Sequence, residues 1–291
     1  MTQRQAILCA LAAFFAWVLV DTAIKLASQA ALSPFVIMTG MGLAAITGLV
    51  GKATVKRTFS TLRPNHLRAQ VLIAAGSAVT WYANIIALKH LPLTIFYIAV
   101  FTAPLTISGL SSFLKHEVLS PTKIACLIAG FMGVILAIAP RIENNSGELI
   151  GYIAASISVA AFAFNTVTLR KIAQTDTPES IQLLCSLSVS SIGILGILSQ
   201  NTQSPDGKAL ALIVGAGLIN LIGNLLYNTA LKHTTSSNVA QLHYTQLISG
   251  ALLGYLLWHE IPTWNLVAGA IIIIAAGLIV AAQAHSTQAA P

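Results

Sequence analysis

The chain has 291 residues, 56% of them hydrophobic and only 8% charged, with a mean hydropathy of +0.82. A soluble globular domain carries about 25% charged residues, so a water-soluble fold is excluded and an integral membrane protein is expected. The net charge of +7 does not point to nucleic acid, because no basic cluster is interleaved with aromatics on a polar face.

The N-terminus has the outline of a signal peptide, with Arg4 ahead of an apolar run from Ala6. That run continues to about Leu26 without a convincing cleavage site, so it reads as a first transmembrane helix. Ten apolar spans follow one another near 6–27, 34–51, 68–89, 92–114, 121–140, 148–169, 180–199, 208–231, 236–258 and 263–283. All are expected to be helices, because backbone groups in lipid need internal partners. The longest loop, Lys52–Leu67, is polar and basic, and the polar turn Arg141–Gly147 separates two halves. Gly40, Gly42 and Gly48 in the second span, and Gly130 and Gly133 in the fifth, permit close helix approach. Cys9, Cys126 and Cys185 lie inside spans without a CxxC, so neither a disulfide framework nor a metal site is expected.

Basic residues orient the spans. With the N-terminus in the cytoplasm, eleven fall inside (Arg4, Lys52, Lys56, Arg57, Arg63, Arg68, Lys115, Lys123, Arg170, Lys171, Lys232) and four outside or in the adjacent membrane (Lys25, Lys89, Arg141, Lys208). Both termini are therefore expected in the cytoplasm.

The second half repeats the first. Ala87-Leu88-Lys89-His90 recurs as Ala230-Leu231-Lys232-His233, and His116-Glu117 as His259-Glu260, both at an offset of 143. Ala16-Trp17 aligns more loosely with Ala161-Phe162, and Lys25 with Arg170, at 145. Five spans per copy is an odd number, so the second copy is inverted in the membrane, as in alternating-access carriers. The division expected is 1–142 and 143–291.

Ten helices in two inverted five-helix repeats, with an Ala-Leu-x-x then Glu motif about spans four and nine, resemble the drug/metabolite transporter superfamily and its bacterial EamA-like branch. The resemblance covers nearly the whole chain. It implies a central cavity ringed by spans 1, 3, 4, 6, 8 and 9, with 5 and 10 at the periphery. It also implies secondary transport of a small metabolite without ATP or cofactor; no GxxxxGK[ST] is present, in agreement. A bacterial inner membrane suits the short loops.

Polar groups inside spans are unfavourable toward lipid and face the bundle interior. In the first span, Asp21 and Lys25 lie one turn apart on one face, below Trp17. They read either as an internal salt bridge or as a substrate or proton site. Asn84 in the third span sits near Trp81 and Tyr82. Tyr97 and Phe101 in the fourth, one turn apart, read as stacking residues or as packing, and Asn165 is the amide of the sixth span. The eighth carries Asn220, Asn224 and Asn228 at i, i+4 and i+8, with Tyr227 beside them. This stripe reads as cavity lining ahead of interhelical glue. The ninth carries Gln241, His243, Tyr244 and Gln246, and His243 is a candidate for proton coupling. The repeated charges suggest gates, Lys89 with Glu260 outside and Lys232 with Glu117 inside; the alternative is that each caps a helix end.

No HExxH, paired catalytic aspartates or GxSxG is present, so an enzyme is not expected. A channel fits an inverted repeat less well than a carrier. An acid–base pair, many amides and the aromatics Trp17, Trp81, Tyr97, Tyr227 and Tyr244 point to an amino acid or similar zwitterionic or aromatic compound. The runner-up is a cationic metabolite such as S-adenosylmethionine, drawn to Asp21. The expected partners are that substrate, a proton or counter-substrate, and the bilayer, with the chain acting as a monomer or homodimer.

Overall fold

A computed structural model describes residues 3–113, 121–142, 146–172, 175–200, 202, 204–233, 245–261 and 263–288. Among them every regular element is helical: α1 Gln3–Gln29, α2 Pro34–Lys56, α3 Leu67–His90, α4 Leu93–Val100, α5 Ala103–Phe113, α6 Pro121–Ile142, α7 Ser146–Ile172, α8 Pro178–Ser199, α9 Gly207–His233, α10 Thr245–Trp258 and α11 Trp264–Gln288. Six of these are long and apolar enough to cross a membrane, and four shorter apolar helices accompany them.

Caps account for several boundaries. Ser33 and Thr177 take extended backbone ahead of Pro34 and Pro178, and their hydroxyl oxygens accept from Phe35 N and Ser180 N. A proline at the first helical position is preorganised for that turn. The expected single fourth span is instead two helices with residues 101–102 between them. The break follows from Pro104, which has no N–H to offer Val100. The chain bridges it with a tight turn in which Thr102 N–H donates to Ala99 at 3.0 Å. Of the expected ninth span, residues 236–244 lie outside the described residues.

Contacts fix helix directions. Ala10 packs with Ala230, and Trp17 lies near Gly223, so α1 and α9 are antiparallel. Asn165 meets Gly76 and Leu91 meets Gly151, so α3 and α7 are antiparallel too. Gly42 abuts Ser190 on α8, and Gly217 of α9 abuts Met41. Added β-carbons at 42 and 217 would lie 2.1 and 2.5 Å from those neighbours, so only glycine allows this approach. α6 and α11 pack mainly on each other, with Gly133 against Gly269. The bundle therefore has two ends. The proximal face holds the start of α1, the end of α2 and the starts of α3 and α8. The distal face holds the end of α1, the starts of α2, α4 and α9, and the end of α10. Lys52, Lys56, Arg57, Arg63 and Arg68 lie toward the proximal end, and Lys25, Lys89 and Lys208 toward the distal end.

Candidate functional site

An internal cavity runs from mid-bundle toward the proximal face. On α8 its lining is Ile181–Val189, on α7 Ser158–Leu169 and on α9 Asn220–Asn228. These stretches occupy the first half of α8 and the later parts of α7 and α9, all toward the proximal end.

Of the residues expected to form a site, Trp17, Asp21, Trp81, Asn84 and Asn165 line this cavity, as do Asn220, Asn224, Tyr227 and Asn228. The i, i+4, i+8 spacing holds the three asparagines on one face, and Asn224 Nδ2 donates to Asn220 Oδ1 at 3.0 Å. Ser158 donates to Asn84, and Asn165 to Ser77 Oγ at 3.3 Å. Trp17 and Tyr227 form an aromatic wall with ring centroids 4.9 Å apart, extended by Phe162 at 6.4 Å from Trp17.

The structure corrects three placements. Lys25, Tyr97 and Phe101 do not line the cavity. Tyr97 and Phe101 are fully buried and stacked on each other behind the wall, with centroids 6.3 Å apart. Tyr97 still reaches the site, because its hydroxyl donates to Asp21 Oδ2 at 2.8 Å. Gly250 makes room for the Tyr97 ring, whose Cε2 would lie 2.2 Å from a β-carbon there. Second, of the two readings offered for Asp21 and Lys25, the internal salt bridge is not formed. Lys25 Nζ turns away and pairs with Glu260 Oε1 at 2.5 Å. Third, Glu260 therefore pairs with Lys25 and not with Lys89, which is exposed. Gln241, His243, Tyr244, Glu117 and the side chain of Lys232 lie outside the described residues.

Glu260 sits where two elements converge. His259, in left-handed backbone (φ 54°), turns the chain at the end of α10. The Glu260 carboxylate then accepts from Leu93 N at 3.0 Å, Thr94 N at 3.1 Å and Thr94 Oγ1 at 3.0 Å. The opening of α4 has Pro92 at its cap and no side-chain cap of its own, so this remote carboxylate satisfies its free N–H groups and meets the positive end of its dipole. Lys25 also lies 4.5 Å from the centroid of Trp258, whose Nε1 donates to Gln29 Oε1 at 2.8 Å. These contacts tie the distal ends of α1, α4 and α10 together.

Sequence reasoning passed over Gln182 and Ser186 on α8, which line the cavity and are hydrogen-bonded to each other at 3.2 Å. It placed Gln246 on the ninth span but not in the site. Gln246 lines the cavity and donates to Phe14 O at 3.2 Å. Spans 2 and 7 also contribute walls, through Met38, Met41, Gln182 and Ser186, beyond the six spans the resemblance implies. The buried carbonyls Asn165 Oδ1 and Gln246 Oε1 have no hydrogen-bond partner among the described residues.

A second polar cluster lies at the proximal face, outside the cavity. Asp176 is buried and accepts from Asn65 N at 3.0 Å, His66 N at 3.2 Å, His66 Nδ1 at 2.6 Å and Gln70 Nε2. Burial opposes its ionisation, but these hydrogen bonds outweigh it and hold its pKa at about 2, below the ordinary 3.8. Beside it, Thr177 Oγ1 donates to Thr61 O, and Lys52 pairs with Glu179 at 2.9 Å.

A polar, aromatic-walled cavity inside an apolar bundle is built to hold a small molecule within a membrane. The model of the EamA-like transporter family matches residues 4–139 and again 149–282. The chain belongs to the EamA-like transporter family, within the drug/metabolite transporter superfamily. That is a transporter family and not an enzyme class. The S-adenosylmethionine uptake transporter of Rickettsia felis is 26% identical over 226 residues, covering 77% of this chain and 74% of its own. The riboflavin transporter of Brucella anthropi is 20% identical over 232 residues, covering 78% and 81%. A solved crystal structure superposes with a TM-score of 0.69 over 98% of this chain and 99% of its own, at 19% identity, and supports the fold alone. The chain is a multi-pass membrane transporter, and its bacterial relatives point to the inner membrane.

Proposed function

We propose that this chain is a secondary active transporter of a cationic metabolite that carries a flat ring, of which S-adenosylmethionine is the model. One observation carries the reading. The cavity holds the carboxylate of Asp21 but no Lys, Arg or His among its described lining. The zwitterionic expectation drew on an acid–base pair of Asp21 and Lys25 as well as on the amides and aromatics, and Lys25 is engaged elsewhere. A buried carboxylate without a cationic partner favours a ligand that brings the charge. Trp17 and Tyr227 offer π faces for a cation or a ring, and the unpartnered carbonyls of Asn165 and Gln246 favour a ligand rich in N–H donors. The Rickettsia felis relative's name is consistent with this. An amino acid remains the second reading, favoured by the amide stripe on α9.

The carrier works by alternating access between two inverted five-helix repeats, 1–142 and 143–291, making ten spans with both termini cytoplasmic. Support comes from the pairing of helices: α1 packs on α9 as α7 packs on α3, each partner displaced by one half of the chain. With the proximal face cytoplasmic, the cavity is reached from inside while Lys25–Glu260 closes the outside. The inner counterpart of that closure is assigned to Glu117 and its neighbours by the 143-residue offset.

The test is a thermal shift of the purified chain with S-adenosylmethionine, neutral amino acids and riboflavin, repeated in Asp21→Asn. Binding raises the midpoint by mass action. S-adenosylmethionine is expected to raise it in the wild type and not in D21N. A shift with neutral amino acids alone, or one that D21N leaves intact, rejects the cationic reading.

A further inference from the structure

Lys25 is 5% exposed and lies inside α1, where an ammonium without a carboxylate is strongly unfavourable. Its present partner does not belong to the same unit. Glu260 comes from the turn after α10 and is bonded to the start of α4 through Leu93 and Thr94. α4 and α10 pack on each other, with Tyr97 against Gly250. Asp21, four residues before Lys25, depends on the same unit, because its hydroxyl donor is Tyr97 of α4. Any movement that parts α4 and α10 from α1 therefore removes Glu260 from Lys25 and Tyr97 from Asp21 together.

The two groups left behind are matched. They lie at i and i+4 on one helix, with the acid on the N-terminal side, the favourable order for such a pair. Long side chains in helices lean toward the N-terminus, so the relaxed reach of Lys25 is toward Asp21. We infer that Lys25 is an exchangeable internal cation: it sits on Glu260 while the distal face is closed and takes Asp21 when that face opens, displacing the substrate's positive charge. This deepens the functional reading above and rests on it for the substrate. A cation on Asp21 keeps Lys25 on Glu260 and so holds the distal face shut. Opening of that face and occupation of Asp21 by a cation therefore oppose one another.

The exchange is tested without a ligand by a mutant cycle on the full chain, read as the thermal midpoint in detergent. In E260Q, which keeps an acceptor for the α4 N–H groups, Lys25 falls back on Asp21. D21N is then expected to cost much more in the E260Q background than in the wild type, and K25M added to the double variant is expected to recover the loss. Failure of the double variant to fold while both single variants fold counts as the expected excess. Additive losses, or no recovery with K25M, overturn the exchange. Should E260Q not fold, E260D, which shortens the arm, carries the same cycle. A parallel arm uses S-adenosylmethionine as probe. E260Q is expected to weaken its binding about tenfold, because the competent state becomes less populated, and K25M/E260Q to restore it. No binding to the wild type rejects the cationic-substrate reading, while the stability cycle still decides on Lys25.

Discussion

The two carboxylates at opposite ends of the bundle are built alike and do different things. Glu260 and Asp176 each accept two backbone N–H groups and one or more side-chain donors, one of them a basic side chain. Around Asp176, Asn65, His66 and Thr175 belong to loops, and Gln70 lies in the first turn of α3. The cluster clips the 57–66 segment and the start of α3 to the start of α8. Around Glu260 the basic partner is Lys25, one turn from the only carboxylate lining the cavity among the described residues. What separates a structural clip from a coupled one is therefore not the chemistry of the carboxylate. It is whether the basic partner lies on a helix that lines the site, as Lys25 does on α1 and His66, in a loop, does not.

The sharpest way to break this contrast acts behind the cavity. Gly250→Ala places a methyl group 2.2 Å from the buried Tyr97 ring, and overpacking of this kind costs about 1–3 kcal/mol. A lowered thermal midpoint together with weaker ligand binding is expected, because Tyr97 is displaced from Asp21. A midpoint drop without any change in binding would detach Tyr97 from the site.

Asp176→Ala is expected to cost about 1–3 kcal/mol, since the buried Gln70 amide and the part-buried N–H groups of Asn65 and His66 lose their acceptor, while ligand affinity stays unchanged. The same group has a pH signature. Its folded pKa of about 2 lies below the ordinary 3.8, so its stabilisation is complete above about pH 4 and is lost as pH falls from about 4 to about 2. The wild-type midpoint should drop through that window, and the drop should be shallower in D176N. The part-exposed pair Lys52–Glu179 should contribute at most about 1 kcal/mol, read as a small loss in Glu179→Gln that vanishes at high salt. The smallest effect has the opposite sign. Arg57 ends α2 in left-handed backbone at φ 53°, so Arg57→Gly should stabilise the fold by up to about 1 kcal/mol, read as a slightly higher midpoint.

The sequence disclosed the fold where apolar runs are long and bounded, as in α1 and α8, and where polar residues keep a helical period. Asn220, Asn224 and Asn228 reach the cavity for that reason. It disclosed less where a single residue overrides a run: Pro104 was visible, but its breaking of the fourth span depends on the turn at residues 101–102. Gln182 and Ser186 carry no signal of their own, because a lone amide and a serine in an apolar helix resemble ordinary packing. The Lys25–Glu260 pair was out of reach, since its partners are 235 residues apart and no periodicity links them. The local rule offered Asp21 instead.

The broken fourth span bears on how the protein is made. Its first half, Leu93–Val100, has 8 residues, roughly 12 Å at 1.5 Å per residue, so it does not by itself cross a hydrocarbon layer of about 30 Å. Pro104 leaves the Val100 carbonyl without its helical N–H donor, a group that lipid cannot satisfy. Leu93–Ile98 are buried in the finished bundle, against α10 and α7, which are synthesised later. The first five spans therefore cannot reach their final arrangement as they leave the ribosome. The α4 N–H groups gain their Glu260 acceptor only when the second half arrives, so a nascent chain halted midway leaves that helix start uncapped.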